Sequence, residues 1–214
     1  MPKKPSEKRL EHFRKMVAFD QAFPGFGVSL AGMDEVGRGP LFGNVVTACV
    51  IMPADPLYAW IDDSKKLSAK CREEMYDLIM ESARYVGIGQ ATPEEIDSMN
   101  ILNATKLAME RAAEKAPASL CIVDAVRDLY LPFPIMPIIK GDSTSYHVAA
   151  ASIVAKVTRD RQMAEYAKIY PQYGFDRNMG YGTAEHIRAL REYGPVAEHR
   201  KTFIRNFVDK DVAE

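Results

Sequence analysis

The residues of this chain best suited to chemistry are carboxylates that close apolar runs. Val28 to Met33 ends in Asp34–Glu35, Leu120 to Val123 ends in Asp124, and Ile135 to Ile139 is followed by Lys140-Gly141-Asp142. One acid at a strand end is common as a cap, but three such endings are harder to dismiss. In open α/β sheets ligands collect at one end of the strands, so neighbouring strands would gather four carboxylates at one edge. Like charges packed that closely cannot all ionise without a counterion. An all-oxygen donor set suits Mg²⁺ or Mn²⁺ better than Zn²⁺. Two such ions, roughly 4 Å apart, perform phosphoryl chemistry by generating a hydroxide and stabilising a leaving oxygen. On spacing alone, this reading stands level with ordinary surface acids at strand ends. Asp34 and Glu35 also pose a geometric question, because neighbours in a regular strand face opposite sides. They share a site only if the strand twists or ends there, as the following Val-Gly-Arg-Gly-Pro allows.

The elements that must position these acids follow from the periodicity. Residues 8–19 read as a short amphipathic helix ended by the turn signal FPGFG. The run to Met33 and the β-branched run from Val45 to Met52 read as a long hairpin around a Gly/Pro loop. A helix over 69–83 and a strand from Tyr85 to Gln90 follow. Thr92-Pro-Glu-Glu then opens a helix, with a capping residue, Pro at the first helical position and acids in the first turn. Another helix covers 101–115, two short strands follow, and a long helix runs from Tyr146 to Pro171, with more helix around 183–193. The expected architecture is an α/β fold with a mixed sheet flanked by helices and a helical C-terminal portion.

Composition narrows the class. The chain has 214 residues, 47% hydrophobic and 27% charged, which fits one globular domain with at most a small appendage. No run is long and apolar enough for a membrane span, and the basic start lacks the apolar core of a secretory signal, so a cytoplasmic location is expected. The cysteines, Cys49, Cys71 and Cys121, are odd in number and form no CxxC pair, which disfavours disulfides and structural zinc. Charge is uneven along the chain. Residues 1–25 carry six basic against three acidic groups, 53–130 carry nine against fourteen, and 159–205 carry nine against six. The two basic ends permit contact with a polyanion, and solvated helix faces explain the same pattern equally well. No phosphate-cradling GxxxxGK[ST] loop and no GxSxG nucleophile motif occurs. His147, His186 and His199 read as surface or loop hydrogen-bonding residues, His199 bridging to the C-terminal portion. Lys156 and Arg159 are spaced to face phosphates from one helix, or simply to face solvent.

An ordered set of blocks resembles the type 2 ribonuclease H family. They are AGMDEVGRGPLFGNVVTACVIM (31–52), DDSKKLS (62–68), EEIDSMNILNAT (94–105), IVDA (122–125), KGDSTSYHVAAASIVAKVTRDR (140–161), YPQYGF (170–175), GYGTAEH (180–186) and HRKTF (199–203). Ribonuclease HII fits best within that family, because type III enzymes carry an extra N-terminal domain. The resemblance implies an RNase H-like fold over 1–214, with 160–214 a helical extension packed on it. It implies hydrolysis of the RNA strand of RNA–DNA hybrids and incision 5′ of single ribonucleotides in duplex DNA, leaving 3′-OH and 5′-phosphate. The metal ligands it implies are Asp34, Glu35, Asp124 and Asp142, holding two Mn²⁺ or Mg²⁺ ions in the substrate complex. The junction readers it implies are Gly37, Arg38, Gly39 and Tyr181. Arg38 is also a candidate ion-pair partner of Glu35. A monomer is expected, and a replication-clamp contact stays open. Two positions depart from the family pattern, Ala125 for the usual Gly and Met179 for a usual Lys. The competing readings are another two-metal phosphohydrolase on the same fold and a non-catalytic nucleic-acid binder. The binder would gain nothing from clustered negative charge.

Overall fold

The structure is a computed structural model that describes residues 5–55 and 57–208. Lys3 and Lys4 of the basic start, and residues 209–214 of the end read for a clamp motif, lie outside the described residues. In chain order the elements are α1 (Glu7–Gln21), β1 (Leu30–Val36), β2 (Val45–Ile51), α2 (Ala69–Ser82), β3 (Tyr85–Ala91), α3 (Pro93–Met99), α4 (Ile101–Ala113), β4 (Leu120–Asp124), β5 (Ile135–Ile138), α5 (Tyr146–Ile169), α6 (Phe175–Asn178), α7 (Ala184–Tyr193) and α8 (Lys201–Ile204). Thr92 caps α3 through a reciprocal box with Glu95, as its sequence predicts.

The five strands run in the order β3-β2-β1-β4-β5. The β1–β2–β3 meander is antiparallel, and β4 and β5 add to β1 in parallel. Alternation along the central strands divides the core. Ala48, Val50 and Met52 pack with α5, α2 and α1, whereas Ala31, Met33, Cys49 and Ile51 pack with α4. β1 sits unusually close to α5. At Gly32 a β-carbon would stand 2.2 Å from the His147 carbonyl carbon, so only glycine lets helix and strand meet there. A third cluster joins Leu41 and Phe42 to Met163, Tyr173, Phe175, Leu190 and Ile204, so the C-terminal helices rest on the loop that follows β1. No helix among the described residues is long and apolar enough to cross a membrane.

Candidate active site

The parallel pairing of β1 with β4 brings the first acids together. Met33 pairs with Val123, and the next residues of the two strands are Asp34 and Asp124. The backbone N–H of Gly141 donates to Asp124 Oδ1 at 2.8 Å, pulling the turn that carries Asp142 against the end of β4. Asp34 is buried. Burial, then the charges of Glu35 and Asp124, push its carboxyl well above the usual range, against the opposing Glu35 N–H; Asp142 adds to the rise. Burial likewise raises Asp124, opposed by the Gly141 N–H and reinforced by Asp142. Burial and Asp124 raise Glu35, although Arg38 opposes them.

β1 does not end at Asp34–Glu35, as sharing a site is expected to require, but one residue later. β1 keeps its ladder with β2 through Val36, one residue beyond Glu35, and ends before Gly37. Asp34 and Glu35 are therefore still in register, and they are linked by the Glu35 N–H donating to Asp34 Oδ1 at 2.8 Å. Glu35 Oε1 accepts from Arg38 Nη1 at 3.3 Å, as its alternative reading anticipates, whereas buried Glu35 Oε2 has no partner.

This set fits a hard divalent cation. It offers oxygen donors alone, a buried carboxylate crowded by like charges, and an orphaned carboxylate oxygen. Among the described residues no three acids are drawn into a finished ligand cage. A cation of the chain itself offsets the charge instead: Lys65 Nζ donates to Asp142 Oδ2 at 3.2 Å. Burial pulls its ammonium down, but the bond to Asp142 and the charges of Asp142, Asp63 and Asp34 outweigh this, and its affinity for the proton rises.

The expected readers lie at the same end of the sheet. Tyr181 is 46% exposed, and its ring stands 3.5 Å from where a β-carbon on Gly39 would be. Gly37 has a different reason to be glycine. Its φ is +93°, and a β-carbon there would meet Arg159 Nε at 2.4 Å. Among the described residues, three of the five non-glycine residues at positive φ border this region: Ala125 after Asp124, Lys140 before Asp142, and Met179 before Tyr181.

The ribonuclease HII family profile matches residues 31–208. The chain belongs to the ribonuclease HII family. The Bacillus cytotoxicus ribonuclease HII is 48% identical over 205 residues, covering 94% of this chain and 78% of that one. The Caldanaerobacter subterraneus ribonuclease HII is 45% identical over 205 residues, covering 94% and 85%. The Pyrococcus horikoshii ribonuclease H2 structure superposes with a TM-score of 0.71 at 24% identity, covering 83% of this chain and 96% of that one. The structure of the PCNA:RNase HII complex from Archaeoglobus fulgidus gives 0.70 at 26% identity, covering 81% and 94%. As a ribonuclease HII, the chain is a divalent-metal-dependent endonuclease acting on RNA–DNA hybrids.

Within this ribonuclease HII, several sequence expectations need correction. Arg159 faces neither phosphate nor solvent. It is 1% exposed and donates to the carbonyls of Asn44, Phe42 and Met179 at 3.2, 3.0 and 2.8 Å. Lys156, by contrast, is partly exposed and paired with Asp160 at 2.6 Å, in keeping with its solvent-facing alternative. The three histidines are not surface residues. All are buried, His147 against Asp20 and His186 against His199; His199 lies in a loop of the C-terminal portion and, where a bridge to that portion is expected, pairs with Phe42 in the loop after β1.

Sequence reasoning missed Arg200 altogether. This wholly buried side chain donates to Gly43 O (2.9 and 2.7 Å), Arg38 O (3.1 Å), Pro40 O (2.8 Å) and Gly37 O (2.6 Å). Neither Arg159 nor Arg200 has a carboxylate at ion-pair distance among the described residues. Burial pulls Arg159 down to about 10; burial and the charge of Arg159 pull Arg200 down to about 9. The two guanidiniums turn the carbonyls of the 37–44 loop inward, and Arg159 ties that loop to the Tyr181 segment. The signal available in sequence was the HRKTF block, but nothing in its spacing names its partners. Lys65 lay in the DDSKKLS block without an assigned task.

The departure at Ala125 has a measurable consequence. Its φ is +51°, and its N–H is held by Ile138 O at 2.8 Å. That conformation costs an L-residue roughly 1–2 kcal/mol, of which glycine's greater unfolded-chain entropy returns about 0.4–1 kcal/mol. Ala125→Gly is therefore expected to stabilise the protein by about 0.5–1 kcal/mol, read as a rise in the urea midpoint at unchanged slope. A lower midpoint would show that no strain is relieved there.

Proposed function

We propose that this ribonuclease HII incises 5′ of single ribonucleotides in duplex DNA, leaving 3′-OH and 5′-phosphate, with Asp34, Glu35, Asp124 and Asp142 as its metal ligands. Gly37, Arg38, Gly39 and Tyr181 recognise the ribose. The carrying observation is that the Tyr181 ring lies beside Gly39, 3.5 Å from where a β-carbon there would stand, while Arg38 of the same loop is ion-paired with Glu35. The reader and the acids are thus mechanically one unit. When bound, divalent ions supply an activated water and stabilise the departing oxygen.

The residues of the chain do the rest. Asp34 and Asp124 hold their oxygens at adjacent strand ends, and Lys65 neutralises Asp142 until a cation competes for it. The exposed Tyr181 face offers a platform for a sugar, with a hydroxyl able to sense a 2′-OH. Hydrolysis by an external water does not use the 2′-OH, so discrimination must come from such a contact. In this reading the C-terminal helices belong to the catalytic domain, because they shape the reading loop. The enzyme of this reading is cytoplasmic and acts as a monomer, and the Archaeoglobus fulgidus PCNA:RNase HII complex makes a clamp of that kind the partner to test.

The test is a DNA duplex carrying one ribonucleotide, incubated with Mg²⁺ or Mn²⁺, with the cut mapped to the nucleotide. Tyr181→Ala is expected to lower that cleavage on the order of 10²-fold, the scale of a lost positioning contact. It should affect continuous RNA–DNA hybrid less and leave calorimetric metal binding unchanged. Wild-type rates on the single ribonucleotide would locate the reader elsewhere.

A further inference from the structure

Behind Tyr181 lies a pair of imidazoles that neither the metal chemistry nor the reading loop uses directly. His186 and His199 are 0% and 2% exposed, and their Nε2 atoms are 3.0 Å apart. Phe42, Tyr173 and Phe175 close around them, with ring centroids 4.9–6.1 Å from one or both imidazoles. The one hydroxyl in this box, on Tyr173, donates to Gly194 O at 2.5 Å and takes no part in the pair.

The outer nitrogens fix where the protons sit. His186 Nδ1 lies 2.9 Å from the carbonyl oxygen of Tyr181, which can only accept, so Nδ1 carries hydrogen. His199 Nδ1 lies 3.0 Å from the N–H of Val196, which can only donate, so that nitrogen carries a lone pair. In neutral rings this leaves His199 Nε2–H facing the bare Nε2 of His186. One arrangement satisfies every atom: Val196 N–H to His199, His199 to His186, and His186 to Tyr181 C=O. A further proton on either ring would set N–H against N–H. Consistent with this, burial lowers His186, and burial together with His186 lowers His199 to about 3.

We infer that His186 and His199 are positioning residues for ribose recognition, a neutral relay that anchors the backbone of Tyr181 to the C-terminal segment. The inference rests on Tyr181 being the ribose reader. The Tyr181 carbonyl also accepts from Thr183 N–H at 2.8 Å, and the Tyr181 N–H donates to Asn178 O at 2.9 Å, so the relay completes the fixation of both peptide units that flank this residue. Its loss should move the ring by a fraction of its contact distance with Gly39, a scale at which positioned reactions lose rate steeply.

The direct test is imidazole ¹⁵N NMR on the metal-free full chain between pH 5 and 8. His186 is expected as the Nδ1–H form and His199 as the Nε2–H form, neither titrating. A reversed tautomer or a ring that titrates in this window overturns the relay. The functional test compares His199→Phe, which keeps an aromatic ring but no polar atom, with His199→Gln, which keeps a donor and an acceptor. His199→Phe should lower kcat on the single-ribonucleotide duplex about tenfold and leave continuous hybrid within about twofold at temperatures where the variant is folded. It should keep one cooperative thermal transition at a lower midpoint, because His186 Nε2 and the Val196 N–H lose their partner. His199→Gln should recover most of the loss. Equal loss on both substrates, or no recovery with Gln, means a structural role only and overturns the inference. A Tyr181→Ala enzyme with full selectivity would instead overturn the reading of Tyr181. Selectivity lost in Tyr181→Ala but intact in His199→Phe would overturn the relay alone.

Discussion

Replacing Asp34 by Asn is expected to reduce cleavage by more than about 10³-fold while making the metal-free protein more stable. Asp34 is buried beside Glu35, Asp124 and Asp142, and all three charges, with burial, disfavour its ionised form. An amide keeps the shape and one oxygen but removes the charge that recruits a divalent ion, and electrostatic stabilisation of this kind is usually the largest contribution to such a reaction. The stability gain has a sign that can be worked out. A carboxyl whose folded affinity for protons is raised costs stability as pH rises from the ordinary carboxylate range toward its raised value. The metal-free wild type should therefore lose stability over that window, and Asp34→Asn should lose less. Activity assays at saturating Mn²⁺ and melting curves in chelator, taken across pH, check both halves. Turnover near wild type would remove Asp34 from the ligand set. A less stable variant would mean that the carboxylate is a structural partner.

The second large effect concerns Arg200. Arg200→Met strips donors from the carbonyls of Gly37, Arg38, Pro40 and Gly43, all of them on the reading loop. An unpaired buried polar group costs about 1–3 kcal/mol. The loop can relax to wet some of these carbonyls, so the expected loss is about 3–5 kcal/mol. For a chain of this length that corresponds to a fall in melting temperature of roughly 10 °C. Below that temperature, cleavage of both single-ribonucleotide duplex and hybrid should fall by more than about tenfold, because the loop holding Arg38 against Glu35 has lost its shape. Arg200→Lys should not rescue, since a compact ammonium cannot span four carbonyls as a planar fork does. A wild-type melting curve for Arg200→Met would show that the loop holds itself.

Much of this was legible in the sequence because periodicity and punctuation report directly on elements. The apolar runs ending in Asp34–Glu35, Asp124 and Asp142 lie where strands end, and the parallel β1–β4 pairing turns those endings into neighbours. What misled was the usual meaning of charge. On α5, Arg159 sits at a spacing that normally marks a solvent face, yet this helix is covered by the sheet and α2 on one side and by the C-terminal cluster on the other. Arg159 serves backbone carbonyls there, two of them in a loop more than a hundred residues away. His186 and His199 were misread for the same reason. A buried histidine is recognisable only once its hydrogen-bond partners are known, and the outer partners of this pair are main-chain groups with no sequence signature. Lys65 became visible only when the 62–68 segment was seen to reach Asp142.

The dependence of the 37–44 loop on Arg200 also sets a timetable for biosynthesis. The carbonyls it holds precede it by 157 to 163 residues. At roughly 5–20 residues per second, a ribosome needs on the order of ten to thirty seconds to deliver that guanidinium after the loop has been made. Asp34 and Glu35 precede the loop, and Asp124 and Asp142 are translated within that interval. A chain stalled between residues 142 and 159 therefore contains all four acids proposed as metal ligands, and neither the two arginines that hold the 37–44 loop nor Tyr181. The order of translation keeps discrimination until late, and an interrupted product of this gene would lack it.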